Sequence, residues 1–208
     1  MVKLTVLLLA LSISLGNRNT KTYICHITDC HIDEEYTTFD NLEYEFVGNQ
    51  SHVLVQTNFT THGLLSIYIE GIYGQPKVVK QSSEESSEED EEVVPVLTAL
   101  KIVAYNHTVV FEKLKRLQVD GTKVETPLSP CPGLKIKKRS SRFNLQTDFG
   151  LAVEFDGHGK AKIVLPDVYK GKVGGLCGNF DGNKRNDLMK PDGTQTTSVQ
   201  EFGESWRV

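Results

Sequence analysis

The sequence predicts an all-β protein built from two packed antiparallel sheets, a β-sandwich. Three observations lead there. Runs rich in β-branched and aromatic residues recur at 53–59, 64–73, 96–105, 109–114 and 151–165. Helical periodicity is weak beyond the N-terminal segment. Asp120-Gly121 and Asp156-Gly157 sit between alternating apolar runs, where such pairs make tight hairpin turns. Pro166, directly after residues 162–165, marks a strand that ends at a loop.

In chain order, residues 1–16 come first and read as a secretory signal peptide. Lys3 supplies a charged start, residues 4–15 an apolar core, and Ser14 and Gly16 the small residues before a cleavage point. That segment is too short to span a bilayer. Residues 17–208 are expected to form one domain, secreted and extracellular, with no membrane span.

Two charged stretches interrupt the strand pattern. Residues 81–94 are expected to be a disordered acidic, serine-rich insert, because residues 82–92 carry seven acids and no apolar side chain. Ser82, Ser83, Ser86 and Ser87 each have an acid two positions downstream. That S-x-E pattern resembles secretory-pathway kinase sites, and phosphate there would deepen the negative charge. Residues 135–142 are basic and read first as a solvated strand edge. They are also open to contact with the acidic insert or sulfated glycans, or to processing after Lys138-Arg139. An acidic chain without interleaved aromatics argues against nucleic-acid binding.

Cys25, Cys30, Cys131 and Cys177 are disulfide candidates in an exported chain, and four cysteines allow three pairings. Asn49, Asn58 and Asn106 each open an N-x-S/T sequon and are candidate glycosylation sites.

The most informative run spans 175–188, where Asn179, Asp181, Asn186 and Asp187 bring amide and carboxylate oxygens together among glycines. Such oxygens suit a hard cation such as Ca²⁺, although most Asn/Asp/Gly clusters are only solvated turns. The order Gly175-Leu176-Cys177-Gly178-Asn179-Phe180-Asp181-Gly182 resembles the signature of the von Willebrand factor type D (VWD) domain. The run from Tyr36 through Phe39, Asp40, Tyr44 and Phe46 to Gly48 resembles that family's opening block. Phe202-Gly203-Glu204-Ser205-Trp206 resembles its closing block. All three come in the family's order, over about residues 25–208.

The resemblance implies one Ca²⁺ held by the side chains of Asp40, Asn179, Asp181, Asn186 and Asp187 and the backbone carbonyl of Asn183. Asn41 stands where the family has glycine, and asparagine tolerates positive φ well enough to keep the turn. The resemblance also implies a Cys30–Cys177 bridge, leaving Cys25–Cys131 by subtraction. Gln50 and Gly174 stand where the family has cysteines, so no C-x-x-C exchange chemistry is expected. Ile32-Asp33-Glu34-Glu35 replaces the self-cleaving G-D-P-H of some mucin-like relatives, so autoproteolysis is not expected.

Function, on this basis, is expected to be non-enzymatic: a secreted Ca²⁺-binding glycoprotein of extracellular matrix, mucus or a biomineral matrix. Its expected partners are matrix or mucus proteins and mineral or calcium-rich surfaces, with no nucleic acid and no covalent multimer. The alternatives are a yolk-type storage or egg-coat protein, a secreted toxin or immune binder, and, behind these, a luciferase-like enzyme. No catalytic residue is assigned, because the six histidines are scattered and no nucleophile–base arrangement stands out.

Overall fold

The computed structural model describes residues 21–30, 33–58, 63–80, 91–113 and 116–208. The expected all-β class is what the chain adopts: two antiparallel sheets of seven strands each, packed on one another. The first runs β10-β11-β12-β13-β1-β2-β3 and the second β14-β4-β5-β6-β7-β8-β9. Residues 1–16, read from sequence as a signal peptide, serines 82, 83, 86 and 87, and most of the acidic insert lie outside the described residues.

Alternation builds the first sheet. In β1 (Thr22–Cys30), Cys25 and Ile27 point inward. β1 pairs with β13 (Ala161–Pro166) on one side and β2 (Asp33–Thr37) on the other. β3 (Glu43–Glu45) buries only Tyr44. β10 (Leu134–Arg139), β11 (Arg142–Thr147) and β12 (Ala152–Phe155) continue the sheet, burying Ile136, Phe143, Leu145, Val153 and Phe155. The run expected at 151–165 is two strands parted at Asp156-Gly157, as the turn signal implied.

The second sheet holds β4 (His52–Thr57), β5 (Tyr68–Lys80), β6 (Glu91–Ala104), β7 (His107–Glu112), β8 (Arg116–Val119), β9 (Thr122–Lys123) and β14 (Val173–Gly174). Asp120 (φ 50°) and Gly121 (φ 75°) close the β8–β9 hairpin as a two-residue turn. β5 and β6 run further than the sequence suggested. Gly74 pairs with Val96 and Lys77 with Val94, so Gln75 and Pro76 face Pro95 across a bulge outside the ladder. A bulge is where a sheet tolerates proline, which has no N–H to donate. The ladder then resumes to Lys80 opposite Glu91. Residues 91–94, expected within the disordered insert, are therefore backbone of β6.

Buried polar contacts tie the layers together. Glu34 on β2 is 2% exposed and accepts the Leu97 N–H of β6 at 2.7 Å and the Tyr36 hydroxyl at 3.1 Å. Tyr36 also hydrogen-bonds Tyr73 of β5. A buried carboxylate is costly unless bonded, and these donors supply what water would have given.

Near the C-terminus lies one short α-helix, α1 (Val199–Ser205). Ser198 caps it, its hydroxyl accepting the Glu201 N–H. Phe202 is fully buried, and Gly203 lies so close to Phe46 that a Cβ there would meet the ring at 2.1 Å. The family's closing glycine is thus a packing requirement.

The disulfide pairing departs from expectation. Cys25 bonds Cys177, with Cα atoms 5.7 Å apart, and Cys131 is a free, half-buried thiol. Cys25 faces the core directly beneath the 175–188 run, and both bridged residues are fully buried. Cys30 sits five residues on, opposite Asp33 at the β1–β2 turn. At about 3.3 Å per residue that is about 16 Å along the strand from Cys25. Neither the Cys30–Cys177 nor the Cys25–Cys131 pairing is formed; the Cys30 side chain lies outside the described residues.

Candidate metal site and family membership

The 175–188 run is moored to the sandwich by its own backbone. Leu176 and Cys177 donate their N–H groups to the Val53 and Leu54 carbonyls of β4, and the Cys177 carbonyl accepts from Phe39. Gly175 (φ 135°) permits this, since a Cβ there would lie 2.3 Å from the Leu54 carbonyl oxygen. Phe180 (φ 52°) is buried between Tyr23 and Phe39. The Cys25–Cys177 bridge fixes the base of the loop.

Every residue implied as a ligand is gathered here. Asp40 reaches across from the opening block: its carboxylate accepts the Asp181 N–H at 2.9 Å and the Gly182 N–H at 3.0 Å. Asp181 accepts the Asn183 N–H at 2.8 Å and the Asn186 side-chain amide at 2.6 Å. The Asn179 side-chain oxygen accepts the Asp181 N–H at 3.1 Å, and its amide donates to the Asn186 carbonyl at 3.3 Å. Asn183 opens a 3-10 turn over Lys184–Asn186, and its carbonyl accepts the Asn186 N–H. Asn41, next to Asp40, adopts φ 64°, the left-handed conformation that the Gly-to-Asn exchange required.

Asp187 forms the floor. It is 1% exposed, with one carboxylate oxygen accepting the Asn179 N–H at 3.2 Å and the other the Thr38 hydroxyl at 2.6 Å. Burial pushes its carboxyl up to about 6, and the Asp40 and Asp181 charges push the same way against the Thr38 and Asn179 hydrogen bonds. Gly178 (φ 82°) lets the loop wrap this carboxylate, since a Cβ would come within 2.5 Å of it.

Does this donor set fit a cation? Among the described residues, no group of three or more His, Cys, Asp or Glu side chains is gathered as a metal cluster. The set is instead mixed carboxylate and amide oxygen, the hard chemistry that Ca²⁺ takes. One observation favours an ion. The side-chain oxygen of Asn186 is buried and has no hydrogen-bond partner, which is costly without a cation or water to receive. The residues present fit.

Thr38 was not singled out from sequence, yet it is fully buried and joins the two blocks, giving its hydroxyl to Asp187 and accepting the Leu42 N–H at 2.9 Å. A threonine beside a strand carries no signal of that role. Beside the loop lies an open cavity of about 560 Å³, lined in part by Trp206, Met189, Asn58, Asn179 and Asp181. Asn49, Asn58 and Asn106 are all exposed, Asn106 in the β6–β7 turn.

The geometry agrees with the comparisons to known proteins. The family model of the von Willebrand factor type D domain matches residues 30–194. Zonadhesin of Sus scrofa is 38% identical over 181 residues, covering 85% of this chain and 7% of that protein. The IgGFc-binding protein of Homo sapiens and alpha-tectorin of Gallus gallus are each 30% identical, again over 85% of this chain but 3% and 8% of theirs. The chain spans less than a tenth of the length of these relatives. With opening block, oxygen-rich loop and closing helix assembled around one bridge, this chain belongs to the von Willebrand factor type D domain family.

Proposed function

We propose that the chain is a secreted, non-enzymatic extracellular domain of adhesive or matrix type, whose fold one Ca²⁺ completes. The single observation that carries the metal reading is the Asn186 oxygen, buried and unpartnered beside the buried Asp187 carboxylate. Asp40, Asn179, Asp181, Asn186 and Asp187, with the Asn183 carbonyl, would hold the ion. When bound it supplies positive charge between two segments 141 residues apart, Asp40 and Asp181. The protein's own contribution is positional: Thr38 orients Asp187, the Asp181 and Gly182 amides orient Asp40, and the bridge holds the loop base.

The adhesive or matrix reading draws on relatives such as zonadhesin and the IgGFc-binding protein, the latter bearing its partner in its name. Among the described residues no helix is long and apolar enough to cross a membrane. Glycans at the exposed sequons and phosphate on Ser82, Ser83, Ser86 and Ser87 would suit a calcium-rich setting such as mucus or mineral. Calorimetry with Ca²⁺ on the chelator-stripped protein tests the metal. We expect one site in the wild type and at least tenfold weaker binding in Asp181→Ala; equal affinity in both proteins removes the assignment.

A further inference from the structure

The basic stretch at 135–142 reads from sequence as a solvated strand edge, and β10 is the edge strand of its sheet. Edge lysines keep strands from pairing between molecules, which would be reason enough for them. The positive charge does not stop at the edge. Across the ladders Lys137 stands opposite Asn144, Asn144 opposite Glu154, Glu154 opposite Lys162, and Lys162 opposite His26. Their strand neighbours Ile136, Leu145, Val153 and Ile163 are buried, so this row faces outward. Lys135 and Arg139 flank it on β10, Arg142 pairs with Arg139, and Lys160 leads into β13. Lys162 lies on the fourth of seven strands, where protecting an edge has no meaning.

Among the described residues these cations form no ion pair with an acid. Among the described residues, ion pairs join Lys101 to Glu70, His107 to Asp120, Lys190 to Glu201 and Arg207 to Glu204. None involves Lys135, Lys137, Arg139, Arg142, Lys160 or Lys162. Glu154, the acid in the row, accepts from the Asn144 amide at 3.1 Å instead. Two grooves of about 290 Å³ each meet at Arg142 and Glu154. One follows Lys137, Arg139 and Asn144, and the other crosses to Lys160, Lys162 and His26. Partial burial holds His26 below its usual pKa; the Lys162 charge pushes the same way and Glu154 pushes against it.

The same face turns acidic at its far end, where Glu35 pairs with Glu45 and Glu43 is exposed. In a chain of net charge −4 the basic half is therefore segregated, not spread. Its chemistry narrows the partner. A single-stranded nucleic acid would want aromatic platforms, but Phe143 and Phe155 point into the core. A membrane surface would want an apolar anchor, yet the large exposed apolar side chains among the described residues are Leu65, Val168 and Val208, none on these strands. What is left is a trough of arginine, lysine and amide side chains, with Glu154 and Asp156 the acids in its lining. Arginine and lysine pair with planar or tetrahedral oxyanions, and Asn144 and Gln146 suit hydroxyls.

We propose that the outward face of β10–β13 and β1 is a binding surface for a linear sulfated glycan, its sulfates held by Lys137, Arg142 and Lys162. The row from Lys137 to Lys162 crosses three strand spacings, about 14 Å, the reach of a short oligosaccharide.

The test uses the full chain and a size-defined heparin oligosaccharide, followed by titration calorimetry. Its arms are the chemically desulfated oligosaccharide, phosphatidylserine vesicles and single-stranded RNA. We expect saturable binding at physiological salt that weakens steadily as salt rises. Desulfation, Arg142→Glu and Lys162→Glu should each weaken it about tenfold, whereas Lys123→Glu on β9 of the other sheet should leave it unchanged. Lys162→Gln, which removes charge without adding an acid, should weaken it several-fold with an unaltered melting curve. The proposal is overturned by equal binding of the desulfated chain, by vesicles or RNA binding more tightly, or by absence of binding. It is also overturned if both Lys162 variants bind like wild type, which would confine the charge effect to the edge strand.

Discussion

His52 is fully buried, and its surroundings fix its protonation. Its Nδ1 lies 2.8 Å from the Gln50 carbonyl and must donate to it, which leaves Nε2 as a bare lone pair with no partner. Phe46 and Tyr73 meet the ring edge-on. Burial holds the imidazole below its usual pKa; the Gln50 carbonyl and Glu204 pull it up, and Arg207 pushes it down. A neutral histidine in the fold stabilises above the unfolded pKa of about 6.5, and that stability is lost as pH falls from there through the folded value. With no cation bound, Asp187 works the opposite way. Its carboxyl is raised to about 6, so the stability from its protonated form is present below an unfolded pKa of about 3.9 and is lost as pH rises through about 6. Because the two oppose each other, the informative quantity is the difference between wild type and His52→Asn. Asparagine can still donate to Gln50 but takes up no proton. We expect the variant to be less stable at neutral pH and the gap to narrow steadily below pH about 6.5, by about 1.4 kcal/mol for each unit by which His52 is depressed. Denaturant midpoints across this range check it; parallel curves would assign the histidine no titration of consequence.

Among the elements, the bridge carries the largest expected effect. Cys25–Cys177 spans 152 residues and joins β1 to the base of the oxygen-rich loop. Chain entropy alone assigns such a closure about 5 kcal/mol. Cys177→Ser should therefore lower the unfolding free energy by several kcal/mol, whereas Cys131→Ser should change it by less than about 1 kcal/mol. Chemical denaturation of both variants, with peptide mapping of the unreduced protein, separates this pairing from the one implied by resemblance. The mistaken pairing shows what sequence could not supply. Family order placed a cysteine before the opening block, but only inward alternation on β1 and the docking of residues 176–177 on β4 choose Cys25. The strands were largely legible, because alternating runs and Asp-Gly turns are local signals. β5 was not, since Gly74-Gln75-Pro76 looks like a stop until Pro95 is found facing it across a bulge. Helix α1 escaped notice because seven residues offer too few turns for a period, although Ser198 and Glu201 were its cap. In the loop, the meeting of Asp40 with the Asn and Asp residues of 179–187 was legible from resemblance. Thr38 was not, since its role exists only when residues 149 positions apart in sequence meet.

At the scale of the whole molecule, the sheet edges and the cysteine inventory bear on association. Both sheets end in strands that are short or charged. β9 and β14 have two residues each and β3 three, while the longer β10 is lysine-rich. Short and lysine-bearing edges offer little template for strand addition from another copy. The exposed surface supports the same view, since among the described residues the large exposed apolar side chains are Leu65, Val168 and Val208, far apart in sequence. Covalent association would need an accessible thiol; Cys25 and Cys177 are bonded to each other, Cys131 is half-buried in the loop before β10, and the Cys30 side chain lies outside the described residues. We therefore expect the chain, expressed through an oxidising secretory route, to migrate as a monomer on non-reducing electrophoresis and to scatter light as a monomer. High salt should not change that result if association is resisted by the edges, whereas a contact between the basic and acidic halves of the sheet face would be lost in high salt. A ladder that collapses on reduction would place an intermolecular bond at Cys131 or Cys30, and the Cys131→Ser variant would say which.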